Sequence, residues 1–334
     1  MAHNVADALA GSLLGQALGD ALGFVVEAQP PAVAAEYVTC CLLAGKAGER
    51  AHPKYPFGQY SDDTQLAREL LRSVRAAGHW DPVRFASHVV ELFRDGRDVG
   101  AGPGTRAAAR RLLAGTSWQD SGTPAPYAGN GSAMRAGPLG LLFGAGAPEE
   151  MCRAACEQSR ITHGDPRCAA GSVVVAGAVS LAAQLGRLDR AGFLQQLAAW
   201  GSCADRSVSD AVQELEGWCD LEPASAARHL HETGLDPGYS NEWQGISACV
   251  TPSVLWSLYS FLRSPDDYWE TICTAIAVGG DTDTMAAIAG AISGARLGVG
   301  AFPAPLVERL TDRGDWGPRR LADLAYDCSR LIPL

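Results

Sequence analysis

The sequence predicts an all-α fold, and three observations carry that prediction. A capping side chain followed by proline recurs at Asp81-Pro82, Asp165-Pro166, Thr251-Pro252 and Ser264-Pro265, each ahead of a helix-length amphipathic or apolar segment. Runs that alternate polar and apolar residues, the mark of half-buried strands, never reach useful length. No repeat of fixed period points to a solenoid or a propeller.

The elements follow in chain order. Asn4 can cap a helix from Val5 to Leu22, in which Gly11, Gly15, Gly19 and Gly23 recur every fourth residue. That spacing strips one helix face of side chains and suits close packing. Ser61 can cap a helix ending near Ala77, and Asp81 and Asp165 open two more. Cys168 to Gly186 carries no charge and approaches the ~20 residues of a bilayer span. It is rich in Ala, Gly and Ser and lacks aromatic or basic anchors, so it reads as a buried core helix, Val173-Val174-Val175 included. Thr251 and Ser264 open two further helices. The last strong one runs through Met285 to Arg296, where Gly290 and Gly294 suit a close helix crossing. Ala28 to Tyr60, Gly115 to Ser132 and Thr233 to Val250 read as long loops, which often line binding sites. No composition shift marks a linker, so residues 1–334 read as one domain.

A net charge of −10 excludes the basic footprint that extended nucleic-acid binding needs. Hydrophobic residues at 47% exclude a disordered chain. The ten cysteines form no Cys-x-x-Cys, although Cys152 and Cys156 lie one helical turn apart. The first apolar stretch carries Asp7 and Asp20 and has no basic region before it, unlike a signal peptide. A cytoplasmic monomer with reduced, mostly buried thiols and no membrane contact is expected.

Function is sought in two short acidic segments far apart in the chain. Ser61-Asp62-Asp63-Thr64 and Gly279-Gly280-Asp281-Thr282-Asp283-Thr284 each place two carboxylates and flanking hydroxyls at a helix start, before a helix too apolar to lie on the surface. Either alone is ordinary N-cap chemistry. Together they are four like charges needing a counter-charge. All donors are oxygen, which suits Mg²⁺, Ca²⁺ or Mn²⁺ rather than zinc. Glu27, just past the glycine-spaced helix, is a fifth acid that could reach the same place.

Other motifs are less specific. Gly129-Asn130-Gly131-Ser132-Ala133-Met134-Arg135 is a Gly-rich turn before a helix, either a plain loop or an anion site made of backbone N–H groups with Arg135 adding charge. The Gly-rich turn from Arg97 to Arg106 lacks the Lys-Ser/Thr of a P-loop. His163 stands beside the N-cap Asp165, where a structural histidine is the alternative. His229 and His231 have no matching metal motif.

Taken together, Gly-Asp-Ala-Leu-Gly with Glu27, Ser61 to Thr64, Gly129 to Arg135, Ile161-Thr162-His163 and Gly280 to Thr284 resemble the ADP-ribosylglycohydrolase family, in the family's order and across roughly residues 5 to 300. The resemblance implies a compact orthogonal multi-helix bundle with a dinuclear metal site in a central cleft. It implies two Mg²⁺, or Mn²⁺, on Ser61, Asp62, Asp63, Asp281, Asp283 and Thr284. Ser61 replaces the commoner Thr but keeps the hydroxyl. It assigns catalytic roles to Glu27, Asp63 and Asp98, and substrate contacts to Gly129, Asn130, Gly131, Ser132, Met134, Arg135 and His163. The implied activity is hydrolysis of the glycosidic bond between ADP-ribose and a protein side chain, a nucleic-acid base or a small metabolite. Tyr127, Trp118 and Tyr268 are candidates to hold the adenine. The competing readings are another dinuclear-metal hydrolase, such as a phosphoesterase, and a silent ADP-ribose-binding relative.

Overall fold

A computed structural model describes residues 5–144, 146–184, 186–236 and 243–332, and its regular elements are helical. They are α1 (Val5–Gly23), α2 (Pro31–Tyr37), α3 (Asp62–Ala77), α4 (Pro82–Arg94), α5 (Pro103–Leu113), α6 (Gly137–Phe143), α7 (Pro148–Thr162) and α8 (Pro166–Ala182). There follow α9 (Arg190–Gly201), α10 (Arg206–Glu214), α11 (Pro223–Leu230), α12 (Val250–Arg263), α13 (Tyr268–Ala277), α14 (Thr282–Leu297), α15 (Ala304–Val307) and α16 (Pro318–Ser329). Among the described residues β-pairing is confined to isolated bridges. One contiguous hydrophobic cluster reaches from Ala8 to Cys328.

The centre of the bundle is the antiparallel pair α1 and α14. A Cβ at Gly11, Gly15, Gly19 or Gly23 would strike the carbonyl oxygen of Gly294, Gly290, Ala286 or Thr282 respectively. Each step of four along α1 is thus a step of four back along α14. A Cβ at Gly23 would also lie 2.6 Å from the Asp283 Cα. Backbones this close allow no side chain between them and bring Cα–H groups against carbonyl oxygens. The rest of the core wraps the pair, and α1 is buried from Ala8 to its end. Although α1 and the turn after it are long and apolar enough to cross a membrane, that stretch is buried inside the molecule. The uncharged run begun by Cys168 is the buried helix α8.

The caps at Ser61, Asp81 and Asp165 stand as the sequence predicts, each side chain accepting a bond from a first-turn N–H. Asn4 lies outside the described residues. Two expected caps are corrected. Val250 N–H donates to the Ala128 carbonyl at 2.9 Å, so α12 begins before Thr251 and Pro252 sits inside the first turn. Ser264 ends α12, and Asp267 caps α13 by accepting from Glu270 N at 3.0 Å. The stretch from Ala28 to Tyr60 is not all loop, because Pro31 opens α2, which continues into a wider turn at Val38–Leu42. Of the loop expected from Thr233 to Val250, residues 237–242 lie outside the described residues.

Gly19→Ala would force the central pair apart. Its expected cost is about 3 kcal/mol or more of unfolding free energy by denaturant titration, against about 1 kcal/mol for Gly78→Ala at the open C-cap of α3.

Candidate metal and substrate cleft

The seam between α1 and α14 ends where the acids gather. Gly279 (φ 70°) and Gly280 (φ 84°) turn the chain tightly into α14 in a conformation that side chains rarely adopt. Gly280 is pinned on both sides: its N–H donates to the Gln29 carbonyl at 3.0 Å, and its carbonyl accepts from Ala28 N at 2.9 Å. Asp281 N donates to the Ile246 carbonyl at 2.9 Å. These bonds hold Glu27, at the end of the turn following α1, against the second acidic segment.

Asp20, in the last turn of α1, fixes the first segment. It accepts from Ser61 N at 2.8 Å, from Thr64 N at 3.1 Å and from the Thr64 hydroxyl at 2.6 Å. Ser61 in turn donates to Asp63 at 2.8 Å while capping α3. Asp62 N bonds the Val99 carbonyl at 2.7 Å, which docks the Arg97–Gly100 loop beside it.

The carboxylates therefore converge from both segments and from α1. Oxygens of Asp20, Asp63 and Asp283 lie within 4.8 Å of one another, as do those of Glu27, Asp281 and Asp283. Asp283 belongs to both groups. Burial raises the pKa of every one of these acids, and mutual repulsion adds to it at all but Asp20 and Asp281. Asp62, Asp63 and Asp283 are pushed well above the ordinary range. Glu27 is pushed up to about 8, by burial first and then by Asp281 and Asp20. Asp20 rises to about 6, its hydrogen bonds partly offsetting burial. One buried oxygen of Asp63 and one of Asp283 have no hydrogen-bond partner. Two orphaned carboxylate oxygens in an all-oxygen donor set fit a hard divalent cation.

Glu27, Asp62, Asp63, Asp281 and Asp283 form the floor of a cleft of about 250 Å³, and Asp20 lies buried outside its lining. The cleft walls include Gly100 to Pro103, Tyr127, Gly129 to Gly131, Met134, His163, Trp243 and Thr284. Asn130 spans floor and wall, donating to Asp281 at 2.5 Å and to Ser253 at 3.2 Å. His163 contacts the Thr162 hydroxyl at 2.8 Å. Burial, with the Arg135 charge, pushes its pKa down to about 3, so the ring stays neutral. Tyr127 lies beside the His163 ring at 5.9 Å between centroids.

Most residues singled out in the sequence thus meet in one place, and some do not. Arg135 is buried with its guanidinium turned inward, donating to Gln158, Gly131 and Thr162. Ser132 is turned the same way, bonding Cys168, Ser159 and Ser172. Both support the wall from behind rather than facing the cleft. Ser61 is buried beneath Asp63 and does not line it either. Asp98 stands next to Asp62 but is paired with Arg106 at 2.9 Å. Tyr268 is buried, with its hydroxyl on the Gly15 carbonyl at 2.7 Å, and Trp118 lies away from the cleft lining. Asp20 and Trp243 were missed. Asp20 had two signals, as the sole charge inside the glycine-spaced stretch and as part of the Gly-Asp-Ala-Leu-Gly motif; Trp243 had only its place in the long loop from Thr233 to Val250.

Comparison with known proteins agrees with this architecture. A family model described as ADP-ribosylglycohydrolase matches residues 1–332. The human ADP-ribosylhydrolase ARH3 is 29% identical over 266 residues, 73% of this chain and 72% of the relative. The ADP-ribosyl-[dinitrogen reductase] glycohydrolase of Rhodospirillum rubrum is 27% identical over 300 residues, 87% and 85% of the two chains. A solved structure titled ADP-ribosylglycohydrolase-related protein complex superposes with a TM-score of 0.65 at 26% identity and covers 99% of each chain.

Crowded acids make stability depend on pH in a definite sense. Between the ordinary carboxylate range and about pH 8 the metal-free folded chain holds more protons than the unfolded one, so its stability falls as pH rises. The melting temperature of EDTA-treated protein is expected to drop from about pH 5 to about pH 8, and added Mg²⁺ to raise it more at the higher pH. Asp283→Asn should raise the metal-free melting temperature and cancel the Mg²⁺ effect.

Proposed function

We propose a function from one premise: the chain belongs to the ADP-ribosylglycohydrolase family. On that basis it is a divalent-metal-dependent hydrolase of the glycosidic bond between ADP-ribose and an attached group. The observation that carries this reading is the pair of carboxylate groups sharing Asp283 on the floor of a cleft that has ring-bearing walls.

Asp62, Asp63, Asp281, Asp283 and Thr284 would hold the ions, with Asp20 and Glu27 at the edges of the two groups. Two Mg²⁺ or Mn²⁺ bound there would act as Lewis acids on substrate hydroxyls and water and fix the sugar. The other steps fall to the chain. Glu27 is the acid–base group, because its half-buried carboxyl, near about 8, can both hold and release a proton at neutral pH. It would take a proton from the attacking water or give one to the departing atom as positive charge develops on the ribose. Asn130 fixes Asp281 and so the floor. Neutral His163 presents a hydrogen-bonding ring to the sugar or the pyrophosphate without adding charge. Tyr127 and Trp243 are the cleft-lining aromatic rings available to the adenine or the leaving group. Asp98 is occupied by Arg106 and takes a positioning role. Ser61 fixes Asp63, and Arg135 and Ser132 brace the turn at Gly129 to Gly131.

Products separate this reading from phosphoester cleavage. Incubation with an ADP-ribosylated peptide and Mg²⁺ should release free ADP-ribose and unmodified acceptor by mass spectrometry; AMP would favour a phosphoesterase. Asp62→Ala and Asp283→Ala should each abolish turnover with the helical circular dichroism retained. Glu27→Gln should lower kcat by about 10²–10⁴-fold while Mg²⁺ still raises the melting temperature. Full activity of the Asp62→Ala/Asp283→Ala double variant in EDTA would overturn the metal-dependent reading.

A further inference from the structure

A second reactive cluster lies on the first turns of α7, whose far end is capped by His163. Cys152 and Cys156 sit one turn apart on α7, and Cys203 follows the end of α9. The three share a cavity of about 560 Å³ with Arg153, Trp200 and Pro148. All ten cysteines are free, and the sequence expectation of mostly buried thiols holds for five of them. Cys203 and Cys40 are exposed, and Cys41, Cys152 and Cys156 are half-buried.

The arrangement is asymmetric. Cys203 shares the cavity lining with Cys152 and Cys156 and is the exposed thiol of the three. Contact among three thiols favours ionisation at one of them and the protonated form at the other two, and Cys203 is the one that solvent reaches best. A thiolate that is solvent-exposed and has thiols within reach is the chemistry that peroxides attack. A three-sulfur metal cage fits less well. Among the described residues the groups that bring three ligand atoms within 4.8 Å of one another are acidic, and this cluster is not among them.

We propose that Cys203 is a peroxide-reactive thiol whose oxidation is resolved by Cys152 or Cys156, joining the start of α7 to the end of α9 through a disulfide. In the first step the Cys203 sulfur attacks a peroxide oxygen, an S–O bond forms, the O–O bond breaks and hydroxide leaves. In the second, a sulfur of α7 attacks the sulfenic sulfur, the S–O bond breaks and water departs with the thiol proton. Two thiols are oxidised and one hydrogen peroxide is reduced to two waters. Two alternative resolving positions on one helix face keep the oxidised sulfur from lingering as the sulfenic acid.

The test is non-reducing peptide mapping of the full chain after limiting hydrogen peroxide. The Cys203 peptide is expected to become linked to the peptides carrying Cys152 and Cys156, and Cys203 to lose iodoacetamide reactivity at least ten-fold faster than Cys40, which is also exposed. Cys203→Ser should abolish the link. Cys152→Ser or Cys156→Ser alone should leave it, through the remaining thiol. Cys152→Ser/Cys156→Ser should leave Cys203 as a dimedone-reactive sulfenic acid. Oxidation of Cys203 no faster than Cys40, or no link from the Cys203 peptide to either α7 peptide in the wild type, would overturn the proposal. So would stoichiometric Zn²⁺ retained by the wild type through desalting and lost in Cys203→Ser, which would assign the cluster to a soft cation.

Discussion

Everything in this molecule hangs on the contact between α1 and α14. Glycines at every fourth position of α1 face carbonyl oxygens of α14 in one antiparallel register, and no side chain can intervene. The contact fixes more than the core. Its far end is Gly23 against Thr282, so the last turn of the seam delivers Glu27 on one side and Asp281 and Asp283 on the other. Asp20 lies on the same helix and grips the first turn of α3 through three hydrogen bonds. A single helix thus positions both acidic segments, and their separation in the chain ceases to matter.

The cost of this arrangement is electrostatic. Five carboxyl groups line one small cleft with Asp20 buried beside them, burial raises all six, and repulsion raises four further. Folding brings them together at the end of the apolar seam between α1 and α14, and protons can relieve the repulsion when nothing else does. Two oxygens stay unsatisfied all the same, one on Asp63 and one on Asp283. Unlike the bare hydroxyls elsewhere in the core, these are carboxylate oxygens, the donors that a hard cation takes.

Much of this was legible in the sequence, because its signals were local. Capping at Ser61, Asp81 and Asp165 depends on a side chain and the next turn, and the four-residue glycine spacing belongs to one helix. What misled was tertiary. Thr251 is no cap because α12 starts one residue earlier, with the Val250 N–H docked on the Ala128 carbonyl, remote in sequence. Arg135 looks like an anion ligand beside a Gly-rich turn, yet Gln158 and Thr162 of α7 draw its guanidinium inward. Asp20 reads as an oddity in an apolar helix until α3 is packed against it. Trp243 joins the cleft from a loop with no motif, so no residue pattern could have placed it there.

The central claim is that both acidic segments, set by α1, form one divalent-cation site. Anomalous diffraction from crystals grown with Mn²⁺ tests it most directly. The account predicts anomalous peaks in the cleft whose coordinating oxygens come from both segments, with Asp283 contacting more than one ion. Peaks bound by Asp62 and Asp63 alone or by Asp281 and Asp283 alone, or a cleft without a peak at saturating Mn²⁺, would contradict it.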